Sequence, residues 1–177
     1  VNVEPFPIGE LLQDVVQKFA LAARDCGVAL EVDAMAAATM VSGDIALLER
    51  VLDNLIDNAL RHTPIGGRVT VQSQPRGERV RVSVTDSGPG LTREEAERAF
   101  KRFYRGDPGR STHSGQSGLG LAIVKSILEL HGSDVAVEEH LVREARTTTG
   151  AHGDAQGETF LAFLIDELAD LRGRGIG

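Results

Sequence analysis

The spacing of apolar residues changes from helical to extended near position 65, and this change limits the folds open to the chain. Between Asp44 and His62, apolar side chains recur every three or four residues, and Asp44 can cap the helix that they predict. Apolar and polar residues then alternate over residues 69–72 and 80–85, with turn residues 75–78 between them. This second pattern predicts a β-hairpin with one solvent-facing side.

Both patterns occur again on either side of this region. We predict a first helix over residues 8–23, with Pro7 in its first turn and Gly27 at its end. The other predicted elements are a strand over 28–32, a short helix after Thr92, a helix ending near His131 and Gly132, and strands over 134–138 and 159–165. Such a mixture is typical of the α+β class. We expect a two-layer sandwich in which helices cover one face of a mixed, mostly antiparallel sheet.

Size and charge exclude several classes of function. The chain has 177 residues, 41% of them hydrophobic, so we expect residues 1–177 to form a single domain. Lys and Arg number 19 against 26 Asp and Glu, and the net charge of -7 argues against nucleic acid as a partner. The single cysteine, Cys26, provides neither a disulfide nor a zinc site. The first residues contain no apolar signal or membrane-spanning run, so we expect a cytoplasmic piece of a longer protein that does not itself contact the membrane.

Three polar residues share one face of the helix predicted between Asp44 and His62. Asn54, Asn58 and Arg61 are four and three residues apart, which places their side chains together beside the apolar stripe. Such a face can simply be solvated. Asparagine has poor helix propensity, however, and two of them one turn apart favour a functional role. A carboxamide oxygen can ligate Mg²⁺, and an arginine can contact phosphate oxygens.

The second strand of the hairpin ends at Asp86, which opens the sequence Asp-Ser-Gly-Pro-Gly over residues 86–90. Taken alone, this sequence predicts only a sharp turn. A carboxylate held at a strand end can also accept a hydrogen bond from the amino group of adenine, whereas guanine presents a carbonyl at the equivalent edge. Glycine at positions 88 and 90 would let a base lie against the main chain.

A glycine-rich segment precedes the last predicted helix. Residues 115–121, Gly-Gln-Ser-Gly-Leu-Gly-Leu, lead into a helix start, where backbone N–H groups and the helix dipole favour phosphate. The segment matches neither the P-loop pattern nor a GxGxxG sequence that follows a strand. Just upstream, residues 98–110 carry five basic residues and one acidic residue, which suits a small anionic ligand.

These features occur in one order, with Phe100-Lys101-Arg102-Phe103-Tyr104-Arg105 between the second and the third. In that order the chain resembles the ATP-binding catalytic domain of bacterial two-component sensor histidine kinases, members of the Bergerat-type ATPase and kinase superfamily. That family has an asparagine-bearing helix, then DxGxG, then FxRFYR, then a GxGLGL loop, and this chain is similar in all four. The resemblance implies the Bergerat fold, with ATP and Mg²⁺ as cofactors.

The resemblance also implies roles for individual residues. Asn58 would hold Mg²⁺ and the phosphates, with Asn54 and Arg61 on the same face, and these three would form the catalytic set. Asp86 would accept from the adenine amino group, and Gly88 and Gly90 would shape the base pocket. A lid over residues 106–117 would be anchored by Phe100, Phe103 and Tyr104 and charged by Arg105 and Arg110. Phosphate contacts are implied for Ser117, Gly118, Leu119 and Gly120.

The chain departs from the family pattern in two places. A long polar loop, residues 140–157, takes the place of a short glycine turn, so no ligand role is assigned to Gly157 or Thr159. We interpret His62 as mainly structural. Related ATPases of the gyrase and Hsp90 types carry a water-activating glutamate four residues before the magnesium asparagine, where this chain has Asn54. Slow hydrolysis is therefore expected.

None of the five histidines, at positions 62, 113, 131, 140 and 152, has the sequence context of the family's phosphoacceptor. The resemblance therefore implies transfer of the γ-phosphoryl group to a histidine on a separate, upstream dimerisation domain. Relay to a response regulator would follow, within a parent protein anchored in the cell membrane. Two alternatives remain open, a degenerate nucleotide-binding module without transfer activity and a stand-alone ATPase of the same superfamily.

Overall fold

The computed structural model describes residues 1–91, 93–101, 119–133, 135–140 and 158–166. They form four helices, α1 (Ile8–Asp25), α2 (Ile45–His62), α3 (Arg93–Arg98) and α4 (Gly120–Leu130). The strands are β1 (Glu4–Pro7), β2 (Ala29–Ala34), β3 (Met40–Gly43), β4 (Arg68–Arg76), β5 (Arg79–Asp86), β6 (Val135–His140) and β7 (Glu158–Asp166). Every helix and strand that the sequence predicts is present, so these predictions are confirmed.

Five strands form one sheet in the order β2-β4-β5-β7-β6. Strands β2 and β4 are parallel, and the remaining pairs are antiparallel. The buried valines of β4 and β5 share one side of this sheet and belong to the same core cluster as residues of α1, α2 and α4. The predicted α+β sandwich, with helices on one face of a mixed, mostly antiparallel sheet, is confirmed.

Helix α2 lies against the centre of this sheet and forms much of the core. Its start is capped as predicted, because Asp44 Oδ1 accepts from the Leu47 N–H at 3.1 Å. Its apolar stripe is fully buried at Leu48, Val51, Leu55 and Ile56. Burying one such side chain stabilises the fold by about 1.5–3 kcal/mol. The polar face that carries Asn54 and Asn58 is therefore held rigidly by the packing of the opposite face.

Strands β1 and β3 were not predicted. They pair as a separate antiparallel ribbon in which Phe6 lies opposite Val41, and both side chains are buried. Each strand has only four residues, and β1 contains two prolines, so neither shows a strand-like alternation. Pro7 ends β1 with extended backbone and precedes α1, so its predicted place in the first helical turn is wrong by one residue.

The hairpin turn is tighter than predicted. Pro75 lies in β4 opposite Val80, and only Gly77 and Glu78 separate the two strands. Proline is tolerated there because β2 pairs with β4 only as far as Ser73, so its missing N–H breaks no bond to that neighbour. Of the predicted loop 140–157, His140 ends β6, and the remainder lies outside the described residues, as does the lid, 106–117. Among the helices described, none is long and apolar enough to cross a membrane.

Candidate nucleotide site

Asp86 is the last residue of β5 and lies on the helical side of the sheet. Its side chain is buried, and Oδ1 accepts from the Gly88 N–H at 2.9 Å. The turn that follows is tied to the start of β4, because Ser87 N–H donates to the Arg68 carbonyl at 3.0 Å. Arg68 N–H donates in return to Ser87 Oγ at 2.9 Å. The carboxylate is therefore fixed at the strand end by its own turn.

Gly88 and Gly90 bring this turn against the end of α2. A Cβ at position 88 would lie 2.6 Å from Asp86 Oδ1 and 2.7 Å from the His62 carbonyl oxygen, so only glycine fits without a backbone shift. Gly90 has a φ of 74°, in the left-handed region that favours glycine. The turn after Asp86 thus contacts the residue that lies four positions beyond Asn58.

Asn54 and Asn58 project from the middle of α2, and both are half-buried. Asn54 Nδ2 donates to the Arg50 carbonyl at 2.7 Å, which orients its amide. A Cβ on Gly120 would lie 3.0 Å from Asn54 Oδ1. The start of α4 therefore lies directly against Asn54, and Asn58 is one helical turn further along the same face.

Arg61 is held within its own helix. Its Nε lies 2.9 Å from Asp57 Oδ2, four residues earlier, in a pair of which both members are well exposed to solvent. Such exposed pairs are weak, about 0.3–0.5 kcal/mol, so an anionic ligand can compete with Asp57 for this guanidinium. Sequence reasoning missed Asp57, although the spacing of four residues is the signal by which it could have been found.

The start of α4 offers backbone N–H groups. Leu119 occupies the N-cap position and supplies no side-chain acceptor, and the first turn contains no acidic residue. The side chain of Leu119 lines a groove of about 340 Å³ between α2 and α4, together with Leu47, Arg50, Ala122, Ile123, Ser126, Ile127 and Leu130. This groove does not include Asp86 or Asn58. The predicted phosphate contact of Leu119 stays a prediction, and at this N-cap position only its backbone N–H could make it.

Other predicted site residues fall on different parts of the chain. Phe100, predicted to anchor the lid, is partly buried against the core. The predicted lid and phosphate residues Phe103, Tyr104, Arg105, Arg110, Ser117 and Gly118 lie outside the described residues. Thr159, for which we assigned no ligand role, lies opposite Asp86 in the register of β5 and β7. Strand order sets this neighbour, and no local pattern reveals it.

Residues 43–166 match the family described as histidine kinase-, DNA gyrase B- and HSP90-like ATPase. This chain belongs to that ATPase family. The match begins beside the cap of α2 and ends with β7, so it contains the strand end at Asp86, both asparagines and the start of α4. The family assignment thus covers every element from which the candidate site of this ATPase-family domain is built.

Individual relatives are sensor histidine kinases. SenX3 of Mycobacterium tuberculosis is 35% identical over 136 residues, which make up 77% of this chain and 33% of SenX3. The chain thus spans about a third of that relative's length. The structure of the mycobacterial sensor histidine kinase MprB has a TM-score of 0.73 at 28% identity and covers 94% of this chain and 98% of its own. The structure of ThkA in complex with the response regulator protein TrrA has a TM-score of 0.71 at 25% identity. The match covers 94% of this chain and 42% of that chain.

The donors near Asn58 fit a magnesium ion that arrives with a phosphate ligand. Within the described part of the chain, no three His, Cys, Asp or Glu side chains lie together as a metal site. Mg²⁺ in phosphate-transfer sites takes several of its ligands from the substrate's phosphates and from water, and an asparagine side chain is among its protein ligands in protein kinases. The donor set of this ATPase-family domain is compatible with that mode of binding.

At the opposite end of α4, sequence reasoning missed a contact. His131 Nε2 lies 3.1 Å from the Asp44 backbone nitrogen, and Nδ1 lies 2.9 Å from the Ile127 carbonyl oxygen. The Asp44 side chain accepts from the backbone N–H groups of Asn2 and Leu47, which lowers the pKa of this carboxyl below its ordinary value. Asp44 and His131 are 87 residues apart in sequence, so no spacing pattern could have paired them.

Proposed function

We propose that this domain binds Mg-ATP and transfers its γ-phosphoryl group to a histidine on a separate, upstream dimerisation and phosphoacceptor domain. Relay to a response regulator would follow. One observation carries the proposal. The buried Asp86 carboxylate, the amide face of α2 and the start of α4 converge on the C-terminal half of one helix, through the contacts of Gly88 with His62 and of Gly120 with Asn54.

At the base end of this site, Asp86 is suited to accept from an exocyclic amino group. Its buried position keeps the carboxylate out of bulk water. A hydrogen bond to a charged acceptor is stronger in such a site than in water. Adenine presents such an amino group, and guanine presents a carbonyl that would face the carboxylate without a proton. Gly88 would shape the base pocket by letting the turn lie against Asp86 Oδ1 and the His62 carbonyl oxygen, and Gly90 by its left-handed backbone at a φ of 74°. This arrangement supports ATP over GTP.

At the phosphate end, Asn58 would hold Mg²⁺ through its amide oxygen, and Asn54 places the start of α4 next to it. Mg²⁺ supplies neutralisation of phosphate charge when bound. The N–H groups at Gly118, Leu119 and Gly120, with Ser117, would contact phosphate oxygens, and Arg61 would leave Asp57 to join them. Arg105 and Arg110 would add charge from the lid. The domain's own part is positioning and charge stabilisation rather than covalent chemistry.

The carboxylates of α2 favour transfer over hydrolysis. The helix contains Glu49, Asp53 and Asp57, and each is paired with a cation. Lys18 of α1 contacts the first two at 3.0 and 2.7 Å, and Arg61 contacts the third. Asn54 carries an amide, which cannot act as a general base. The position one helical turn before Asn58 therefore carries no carboxylate to activate water, which argues against a stand-alone ATPase.

The partners and location are proposed by analogy with the relatives. SenX3 and MprB are named as sensor histidine kinases, and ThkA has been solved with the response regulator protein TrrA. By analogy, the partners would be the upstream phosphoacceptor domain and a response regulator, with residues 1–177 as one catalytic domain. We place this domain in the cytoplasm, within a parent protein anchored in the cell membrane.

The first test is titration of the domain with a fluorescent ATP analogue, with and without Mg²⁺. We expect Mg²⁺-dependent binding that Asn58→Ala weakens at least tenfold and that Asp86→Asn removes. Asp33→Asn is the matched control, because Asp33 is an exposed carboxylate on the edge strand β2 and its loss should leave affinity unchanged. Absence of binding of the analogue to the wild-type domain would overturn the proposal.

The second test supplies the upstream domain and labelled ATP. Labelling of its histidine is expected to require Asn58 and Asp86 of this chain. Tight ATP binding without labelling would favour the degenerate binding module. Rapid ATP turnover by this domain alone would favour the stand-alone ATPase.

A further inference from the structure

His131 connects the end of α4 to the start of α2. Its Nε2 lies 3.1 Å from the Asp44 nitrogen, and its Nδ1 lies 2.9 Å from the Ile127 carbonyl oxygen. A backbone N–H can only donate and a carbonyl can only accept, so both contacts are hydrogen bonds only when the proton is on Nδ1 and Nε2 is bare. The geometry therefore assigns a neutral imidazole in its Nδ1–H tautomer.

Helices α2 and α4 thus run antiparallel, and both ends of α4 contact α2. At one end His131 accepts from Asp44, and at the other Gly120 lies against Asn54. The ten residue steps from Asp44 to Asn54 rise about 15 Å along α2, and the eleven steps from Gly120 to His131 rise about 16.5 Å along α4. The two spans match. The contact at His131 is therefore geometrically consistent with the position of the start of α4 beside Asn54.

Between these ends the packing is apolar and incomplete. Val124 and Leu128 of α4 are fully buried, but a groove of about 340 Å³ remains open between the helices along Leu47 and Ile123. Apolar contacts are not directional, so they resist separation of the helices better than they resist sliding along the axis. A hydrogen bond is directional. The His131 contact is therefore one of the directional contacts that hold the axial register, beside the bond from Arg79 Nη2 to the Gly132 carbonyl oxygen at 3.1 Å, and it is the one that joins α4 directly to α2.

We propose that His131 is a positioning residue for nucleotide binding. In its Nδ1–H form it sets the register of α4 against α2, and so places the phosphate-binding N–H groups at the start of α4 beside Asn54 and Asn58. This inference rests on the proposed function, because it concerns the same site. Since Asp86 is held by β5 and by its own turn, the base end of the site does not depend on His131.

The test separates the phosphate end from the base end. NMR titrations of the domain would measure affinity for a non-hydrolysable Mg-ATP analogue and for adenosine. His131→Phe keeps an aromatic ring at this position but removes both hydrogen bonds. We expect the affinity for the Mg-ATP analogue to fall about three- to tenfold and the affinity for adenosine to stay unchanged. His131→Gln offers a carbonyl to the Asp44 N–H and should restore most of the loss. Glu129→Gln, on the exposed face of the same helix, is the control.

Each outcome has a definite reading. If the wild-type domain binds neither ligand, the proposed function fails and the inference falls with it. If the wild type binds both, and His131→Phe weakens both equally or neither, only the positioning role is overturned. The wild-type tautomer gives a check that does not need a folded variant. Imidazole ¹⁵N and ¹³C shifts at pH 7.5 should report Nδ1–H, and an Nε2–H form would also overturn the inference.

Discussion

The His62 carbonyl oxygen lies 2.7 Å from the point that a Cβ on residue 88 would occupy, so the turn after Asp86 and the end of α2 are in direct backbone contact. This contact places the carboxylate of β5 beside the asparagine face of α2. It is short and involves main-chain atoms on one side, which cannot move as a flexible side chain would. The candidate site therefore has a rigid junction between the turn after Asp86 and the end of α2.

Gly88→Ala is expected to break this junction. The added methyl would also lie 2.6 Å from Asp86 Oδ1, so the turn must shift and the carboxylate with it. We expect a loss of stability of about 1–3 kcal/mol and a fall in ATP affinity of tenfold or more. Urea denaturation and nucleotide titration would measure the two effects.

Gly77→Ala is the control for this prediction. Gly77 has a φ of 64° in the hairpin turn and open space around it. Alanine there should lower stability by about 1–2 kcal/mol through backbone strain alone, with no change in affinity. Equal effects of the two variants on binding would show that the turn at Gly88 has no special place in the site.

Gly120 and Asn54 should behave as an energetically coupled pair. Alanine favours a helix over glycine by about 0.5–1 kcal/mol, but at position 120 its Cβ would lie 3.0 Å from Asn54 Oδ1. Gly120→Ala should therefore stabilise the Asn54→Ala background and give little or no gain in the wild type. A double-mutant cycle by chemical denaturation would measure the difference, and additive effects would contradict the contact.

The cap of α2 should make stability depend on pH in the acid range. Backbone N–H groups of Asn2 and Leu47 lower the pKa of the Asp44 carboxyl in the folded state. A lowered folded pKa means that the contribution is present above the ordinary aspartate pKa and is lost as pH falls through the lower, folded value. The wild type should therefore exceed Asp44→Ala in unfolding midpoint at neutral pH. This advantage should begin to shrink as pH falls below the ordinary aspartate value, and an advantage that stayed constant down to the lowest pH at which both variants fold would count against the assigned cap.

Two leucines, one buried and one exposed, should differ in how much their replacement by alanine lowers stability. Leu52 of α2 is 1% exposed, and Leu52→Ala should cost about 2–5 kcal/mol in the free energy of unfolding, because it leaves a cavity between helix and sheet. Leu21 of α1 is 65% exposed, and the same change there should stay within about 0.5 kcal/mol. Similar losses at both positions would contradict the packing described.

The longer helices and strands could be predicted because each shows its own spacing of apolar residues along the sequence. Helix α2 and the hairpin of β4 and β5 show clear apolar spacing, and the cap at Asp44 has a local signature. Strands β1 and β3 have four residues each and owe their existence to pairing with one another, which no local pattern encodes. Pro75 can lie in β4 because the pairing of β2 with β4 ends at Ser73. This depends on the arrangement of the strands, which the sequence near residue 75 does not encode.

The candidate site divides in the same way. The shared face of Asn54 and Asn58 follows from helical spacing, and the strand end at Asp86 follows from the end of the alternating run. The close approach of Gly88 to His62, the opposition of Thr159 to Asp86 and the bond between His131 and Asp44 all join distant segments. These relationships depend on topology, so they required the structure.

The two asparagines in the middle of α2 have a consequence for attempts to make the domain sturdier. Each occupies an interior helical position where alanine would be more favourable by roughly half a kcal/mol. Screening variants for heat resistance alone would thus tend to replace Asn54 and Asn58 early, and under the proposed function such variants would be stable domains with weakened nucleotide binding.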